Sequence, residues 1–294
     1  MAAEHSPLSV SAALARAAAR LRPLDSARLD AQVLLGHALG RSRSELLVRG
    51  AELMAPERLA DFEQAVLRRA GGEPLAYITG SREFWSLELQ VSPAVLVPRP
   101  ETELVVERCL ALRGGQPSAV ADLGTGSGAI ALALAWERKR WSVTATDCSE
   151  AALAIATANA RALGINNVRF VAGDWFEALA SQRFDLIASN PPYIAAADAA
   201  LSDPALRHEP FGALASGATG LEDLCVLVAG APTHLHSTGW LVLEHGAGQA
   251  HDVAELLVAR GFRHVRCHAD LAGLARVTEA QPPPATLTMQ SPSP

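Results

Sequence analysis

Asn190-Pro191-Pro192-Tyr193 is the segment of this 294-residue chain whose residue types and order can do the most specific chemistry. Two prolines fix two φ angles and remove two N–H donors, leaving carbonyls as acceptors. The residue ahead of a proline is held extended, so the asparagine side chain is aimed. The Asn190 amide oxygen and the Pro191 carbonyl make two acceptors converging on one –NH2 group, and Tyr193 adds a flat face to stack on planar neighbours. That is a receptor for a planar nitrogen, either an amide or an exocyclic base amine. Such a nitrogen is a poor nucleophile because its lone pair is delocalised. Acceptors on both N–H bonds help it pyramidalise and turn the lone pair toward an electrophile.

A second segment, Asp122-Leu123-Gly124-Thr125-Gly126-Ser127-Gly128, closes one strand and opens a helix. Glycines there reach positive φ and let a ligand approach the backbone with no Cβ in the way. Asp147 follows Gly124 by 23 residues, at the end of the next strand. A carboxylate so placed can accept hydrogen bonds from both hydroxyls of a ribose. These residues indicate a nucleoside-containing cofactor and no more, because Gly124-x-Gly126-x-x-Ala129 also fits the relaxed dinucleotide pattern of a nicotinamide enzyme.

Both segments need a scaffold, and the chain supplies an alternating one. Val120–Leu123, Val143–Thr146, Val168–Val171, Phe184–Ala188 and Leu241–Leu243 read as short apolar strands. Helices are expected after the glycine turn through Trp136, from about Ser149 to Leu163, and from about Gln249 to Arg260. Strand and helix alternating at this pitch predict crossover units and a largely parallel sheet covered on both faces. The tetrapeptide then lies at the carboxyl end of a strand, where ligands bind in such sheets.

The first seventy-odd residues read instead as a small helical bundle. Leu14, Ala17, Ala18 and Leu21 form one apolar face, which makes Ser11–Arg22 a first helix and not a transit peptide. Asp25 or Ser26 caps a segment running to Gly40 with Leu29, Val33 and Leu34 on one side, and Pro56 opens a helix that Gly71-Gly72 stops. Phe84–Val97 changes to short β-like pieces ended by Pro98-Arg99-Pro100. The expected division is a helical domain over residues 1–80, a β-hairpin linker over 81–100, a sheet domain over 101–279 and a disordered Pro/Ser/Thr-rich tail over 280–294.

Composition narrows the class. Hydrophobic residues are 49% and charged residues 19%, enough apolar material for a packed fold and too much for wholesale disorder. A net charge of −6 gives no general attraction to a phosphate backbone. No apolar run approaches a membrane span and no signal peptide is evident. Cys109, Cys148, Cys225 and Cys267 lie far apart, as expected of reduced thiols in a cytoplasmic protein. His234, His236, His245 and His251 lack the carboxylate or cysteine partners of a metal site, so no metal is expected. Trp136 and Trp141 are expected to pack, and Phe84-Trp85 to pack between domains or flank a substrate. Gly114-Gly115-Gln116 reads as a turn.

Asp122–Gly128, Asp147, Gly173-Asp174-Trp175 and Asn190–Tyr193 together resemble a class I S-adenosylmethionine-dependent methyltransferase acting on a planar nitrogen. The flanking blocks Gly72-Glu73-Pro74, Arg82–Leu87, Val97–Glu103, Arg207-His208-Glu209-Pro210 and Leu243-Glu244-His245-Gly246 are similar to the peptide chain release factor glutamine methyltransferases, and the likeness covers roughly residues 10–278. The resemblance implies a Rossmann-like, mostly parallel doubly wound sheet behind a small all-α N-terminal domain. It implies methyl transfer from S-adenosylmethionine to the glutamine amide of the Gly-Gly-Gln loop in class-1 release factors. Gly124, Thr125, Gly126, Ser127 and Gly128 would hold the methionine part of the cofactor, Asp147 the ribose and Trp175 the adenine. Asn190 would border cofactor and substrate, and Asn190, Pro191, Pro192 and Tyr193 would grip the glutamine amide. The partner expected is a release factor met by a monomer, with the helical domain docking it and no nucleic acid or membrane involved. An adenine-N6 DNA or rRNA methyltransferase would use the same tetrapeptide, but should bring a basic groove.

Overall fold

The structure is a computed structural model that describes residues 8–22 and 24–284. The chain divides into two compact units, one of Met1–Ser81 with Asp203–His208 and one of Arg82–Ser202 with Glu209–Pro294. The smaller unit thus takes in a six-residue segment that reading along the chain leaves in the sheet domain.

Five helices build the smaller unit: α1 (Val10–Arg20), α2 (Ala27–Leu39), α3 (Arg43–Val48), α4 (Pro56–Ala70) and α5 (Leu75–Thr79). Local signals set their ends. The Ser9 hydroxyl accepts from Ala12 N, Ser42 and Glu45 form a capping box, and Gly40 ends α2 at φ 63°. The apolar faces are rotated from those expected. In α1 the buried residues are Val10, Ala13 and Ala17, and in α2 they include Ala31, Leu34 and Leu35, while Leu29 is 44% exposed. Asp30 is buried on that α2 face because Arg69 of α4 donates to its Oδ2 at 2.7 Å. A helical window counts apolar residues and misses a charged one that has a partner.

The hairpin β1 (Ser81–Phe84) and β2 (Leu87–Gln90) leads into the larger unit. It is no free linker. Phe84, Leu87 and Leu89 are buried in the same core as the sheet and its first helices, and Trp85 donates through Nε1 to Glu137. Phe84-Trp85 therefore packs within this unit, correcting the expectation of a place between domains or beside a substrate.

A 3-10 turn at Pro100–Thr102 precedes α6 (Glu103–Arg113), β3 (Ala119–Leu123), α7 (Ala129–Glu137), β4 (Ser142–Asp147), α8 (Glu150–Ala162), β5 (Val168–Ala172) and β6 (Phe184–Ser189). Then come α9 (Glu222–His234), β7 (Leu235–Glu244), α10 (Ala250–Ala259), β8 (Arg263–Ala269) and β9 (Ala275–Gln281). The seven strands run in the order β5-β4-β3-β6-β7-β9-β8. The pairings from β5 through β7 are parallel, and β9 runs antiparallel to both neighbours. Residues 280 and 281 complete β9, so the expected tail begins too early, and its residues 285–294 lie outside the described residues. Strand order reverses beside β3, which puts the ends of β3, β4, β5 and β6 around one crevice.

Asn159 of α8 ties the hairpin to that crevice. Its Oδ1 accepts from Gln90 N at 2.7 Å, and its Nδ2 donates to Gln90 O at 3.0 Å and Ser127 O at 2.9 Å. The side chain is 1% exposed, so water cannot replace these bonds. Asn159→Ala should therefore lower unfolding free energy by about 2–4 kcal/mol, because it strands buried backbone groups. Urea denaturation of the full chain checks this; a loss under about 1 kcal/mol would mean the backbone finds other partners.

Candidate active site

Residues after four parallel strands meet at one cavity of about 250 Å³. Gly124, Thr125, Gly126 and Ser127 come from the end of β3, Asp147 from the end of β4, Trp175 from the loop after β5, and Asn190 and Pro192 from the end of β6. Arg99 and Thr102 also line it.

The glycine loop is shaped by two carboxylates. Asp122, fully buried, accepts at Oδ2 from the Thr125 hydroxyl (2.6 Å) and from Ala131 N (3.1 Å). Burial pushes its carboxyl up to about 7 against those two hydrogen bonds. Asp147 accepts from Gly126 N through Oδ2 and from Ser149 N through Oδ1, each at 2.9 Å. Gly128 sits behind the cavity wall, where φ is 88° and a Cβ would come within 2.9 Å of Leu132 Cδ1. It permits the entry into α7 and is not itself a lining residue. Trp175, at φ 40°, lays its ring across Gly124, whose missing Cβ would stand 3.2 Å from Trp175 Cζ3. A non-glycine residue held in that region is strained, a feature that accumulates at binding sites.

At the other side, Asn190 Nδ2 donates to Thr102 Oγ1 at 3.0 Å. An amide has one accepting and one donating end, so this bond leaves Oδ1 as the end available to the cavity. Pro191 is buried and does not line the cavity. Tyr193 does not line it either: its ring packs on the core beneath, its carbonyl accepts from Gln249 Nε2, and its hydroxyl lies 3.5 Å from Glu244 Oε1. The stacking face expected of Tyr193 is thus turned inward, because the two prolines carry the chain back over the sheet.

Three side chains without a role in the sequence reading support this wall. Glu209 accepts from Val97 N (3.0 Å) and from Arg99 Nη2 (2.5 Å), fixing the segment that presents Thr102. Thr102 itself holds Asn190. Glu244, 1% exposed, is pushed by burial up to about 7, and its Oε1 lies 3.5 Å from the Tyr193 hydroxyl. Arg99, Thr102, Glu209 and Glu244 all fall in blocks that carried the family likeness, the one signal that could have found them.

The remaining candidates have other employment. His234 stacks on Phe176, and buried His245 bonds Thr278 Oγ1 through Nε2. Trp141 is buried and donates to Gln116 O, whereas Trp136 is 44% exposed beneath Lys139. Among the described residues no three His, Cys, Asp or Glu side chains gather as a metal site, and no helix is long and apolar enough to cross a membrane.

A family model described as the PrmC N-terminal domain matches residues 12–80, and one described as the methyltransferase small domain matches residues 101–205. The release factor glutamine methyltransferase of Pseudomonas aeruginosa is 48% identical over 256 residues, covering 87% of this chain and 93% of that protein. The protein of the same name from Escherichia coli K12 is 42% identical over 265 residues, or 90% and 96% of the two chains. Among solved structures, a Pyrococcus furiosus methyltransferase matches with a TM-score of 0.52 at 22% identity, over 67% of this chain and 89% of that one. The T. thermophilus 16S rRNA N2 G1207 methyltransferase, solved with AdoMet and guanosine, gives 0.52 at 20% identity, over 69% and 49%. These likenesses identify the class I methyltransferase fold.

The buried acids make stability depend on pH. Asp122 and Glu244 are both pushed up to about 7, so the folded chain keeps protons that the unfolded chain has released above about pH 4.5. Stability from these groups is present at low pH and lost as pH rises through about 7. Urea midpoints of the full chain should fall from about pH 5 to about pH 7 and level off above, and Asp122→Asn should flatten that fall. A midpoint that rises over this window would show that both carboxyls are ionised throughout.

Proposed function

Since this chain belongs to the release factor glutamine methyltransferase family, we propose that it methylates the side-chain amide nitrogen of the glutamine in the Gly-Gly-Gln loop of class-1 peptide chain release factors. It is an S-adenosylmethionine-dependent enzyme. The observation that carries the substrate reading is the Asn190 amide, tied back through Nδ2 and leaving its oxygen for the cavity.

The cavity suits the cofactor. Gly126 has open space where a Cβ would be, Asp147 offers a carboxylate beside it, and Trp175 supplies a flat apolar face. Gly124–Ser127 would hold the amino-acid part, Asp147 the ribose and Trp175 the adenine. When bound, S-adenosylmethionine supplies a methyl group made electrophilic by its sulfonium. Asn190 Oδ1 would accept from the amide of the glutamine and aim its nitrogen. Its attraction grows as positive charge develops on that nitrogen, which is the differential binding that raises turnover. No side-chain base is required, because an N-alkylated amide cation sheds its proton readily. The lining acids, Asp147 and Asp174, follow β4 and β5 and so stand on the cofactor side.

None of the described residues of the helical unit lines the cavity. Its role in this reading is to dock the release factor, since a glutamine side chain alone offers too few atoms to be selected. A protein substrate also agrees with a net charge of −6, which disfavours the adenine-methylating alternative. The cytoplasm, where release factors work, is the expected place of action.

Two substitutions separate binding from chemistry. Asp147→Ala should weaken S-adenosylmethionine binding by about 1.5–3 kcal/mol in calorimetry, since it removes a charged acceptor and also frees Gly126 N. Asn190→Ala should cut kcat on release factor by about a hundredfold with much less change in cofactor affinity. Label from methyl-labelled cofactor should appear on the loop glutamine by mass spectrometry. Near-normal turnover in Asn190→Ala, or label on nucleic acid instead, would overturn the reading.

A further inference from the structure

We infer that Arg99 is a cofactor-binding residue of this site, pairing its guanidinium with the carboxylate of the methionine part of S-adenosylmethionine. This deepens the functional reading above and rests on its placement of the cofactor.

The charges of that cofactor come in a fixed order along the molecule. A neutral adenosine is followed by the sulfonium, and the amino-acid part ends in an ammonium and a carboxylate. The carboxylate is the one anionic group, and an anion leaving water for a cavity needs a cation or several donors. Among the described lining residues the cavity has two acids, Asp147 and Asp174, and a single base, Arg99.

The sheet decides at which end each of them stands. Its strands run β5-β4-β3-β6 across the cavity floor. Asp174 follows β5 and Asp147 ends β4, so both acids stand at the adenosine end of the placement. Leu123 of β3 is level with Ser189 of β6, which sets the glycine loop beside Asn190. Thr102 accepts from Asn190 Nδ2 at 3.0 Å and so brings its segment, with Arg99 three residues earlier, to the β6 end. A cofactor laid from Trp175 over Asp147 and the glycine loop ends its methionine part there. The cation is at the end that carries the anion.

The glycine loop itself has few donors left for that anion. Gly124 N and Thr125 N donate to Thr146 O, Gly126 N donates to Asp147 Oδ2, and Gly128 N donates to Thr125 O. Arg99 is better equipped. Glu209 takes only its Nη2, through Oε1 at 2.5 Å, because the other carboxylate oxygen accepts from Val97 N at 3.0 Å. A guanidinium has five N–H groups, so this end-on pair leaves Nε and Nη1 for a second carboxylate. The Glu209 side chain is 2% exposed and that of Arg99 32%. The buried acid is thus the anchor, and the arginine keeps an accessible face whose planar fork suits a carboxylate.

Calorimetry on the full chain tests the pairing with S-adenosylmethionine, its decarboxylated form, and 5′-methylthioadenosine, which lacks the amino-acid part. The wild type should bind S-adenosylmethionine about thirtyfold more tightly than the decarboxylated form, the size of a hydrogen-bonded charge pair. Arg99→Ala should weaken S-adenosylmethionine by about that factor and leave the other two within about threefold, so that the preference disappears. Arg99→Ala combined with Glu209→Gln leaves no unpaired buried charge and should show the same pattern, which covers poor folding of the single variant. The inference is overturned if the wild type lacks the preference, or if Arg99→Ala weakens all three probes alike, as a residue that only shapes the wall would. It is overturned too if cofactor affinities hold and the release-factor KM rises, which would assign Arg99 to the protein substrate. The functional reading fails by a different observation, release factor left unlabelled by a chain that binds S-adenosylmethionine. The Arg99 comparison needs no turnover and decides the pairing in that case as well.

Discussion

One buried carboxylate organises the glycine-loop side of the cavity. Asp122 holds the Thr125 hydroxyl and Ala131 N with a single oxygen, so it joins the end of β3, the glycine loop and the first turn of α7. Gly124 N and Thr125 N in turn both donate to Thr146 O, tying the loop to the neighbouring strand. Asp147, one residue on, then reaches Gly126 N. The loop has few side chains of its own to pack, so its shape comes from these acceptors. Asp122 Oδ1 has no partner among the described residues, and burial of the carboxyl raises its pKa.

The opposite wall of the cavity is built on the same logic from residues far apart in the chain. Glu209 reaches Arg99 and Val97 N, which are more than a hundred positions earlier. Thr102 meets Asn190 across 88 positions. In both places a buried acceptor fixes a segment that carries no regular hydrogen-bond ladder. Methyl transfer to a weak nucleophile needs orientation more than strong acid or base groups, and orientation is what these contacts supply.

The sheet core was legible because β3, β4 and β6 are buried on both faces and carry Val, Leu, Ile, Ala and Thr between turn signals. The glycine loop, Asp147 and Asn190 were legible because their residue types and their places at strand ends leave few other uses. The edge strand β8 was not, since Arg263–Ala269 is mostly exposed and its pairing with β9 is set by tertiary contact. Helix α9 was hidden by Pro232, which lies two residues from its end and interrupts the helical pattern without stopping it. Thr102 had no signal of its own. A threonine after a proline turn is ordinary until the strand end that it meets is placed beside it.

The inward turn of Tyr193 shows why motif reading stops short of geometry. The tetrapeptide's composition suggests that all four residues face the substrate. Two successive prolines, however, forbid the chain from continuing as a strand and carry it back across the sheet end, where Gln249 holds the Tyr193 and Gly220 carbonyls. A large ring on that path is partly buried against the core cluster that includes Leu243, and burial of its apolar area favours the inward placement. The motif therefore divides into a presenting half, led by Asn190 at the cavity, and an anchoring half that ends at Tyr193. The anchoring half governs how rigidly the presenting half is held. Replacing Tyr193 by another large aromatic should then disturb orientation less than replacing Asn190 by any residue, because packing tolerates a change of edge and a directed amide does not.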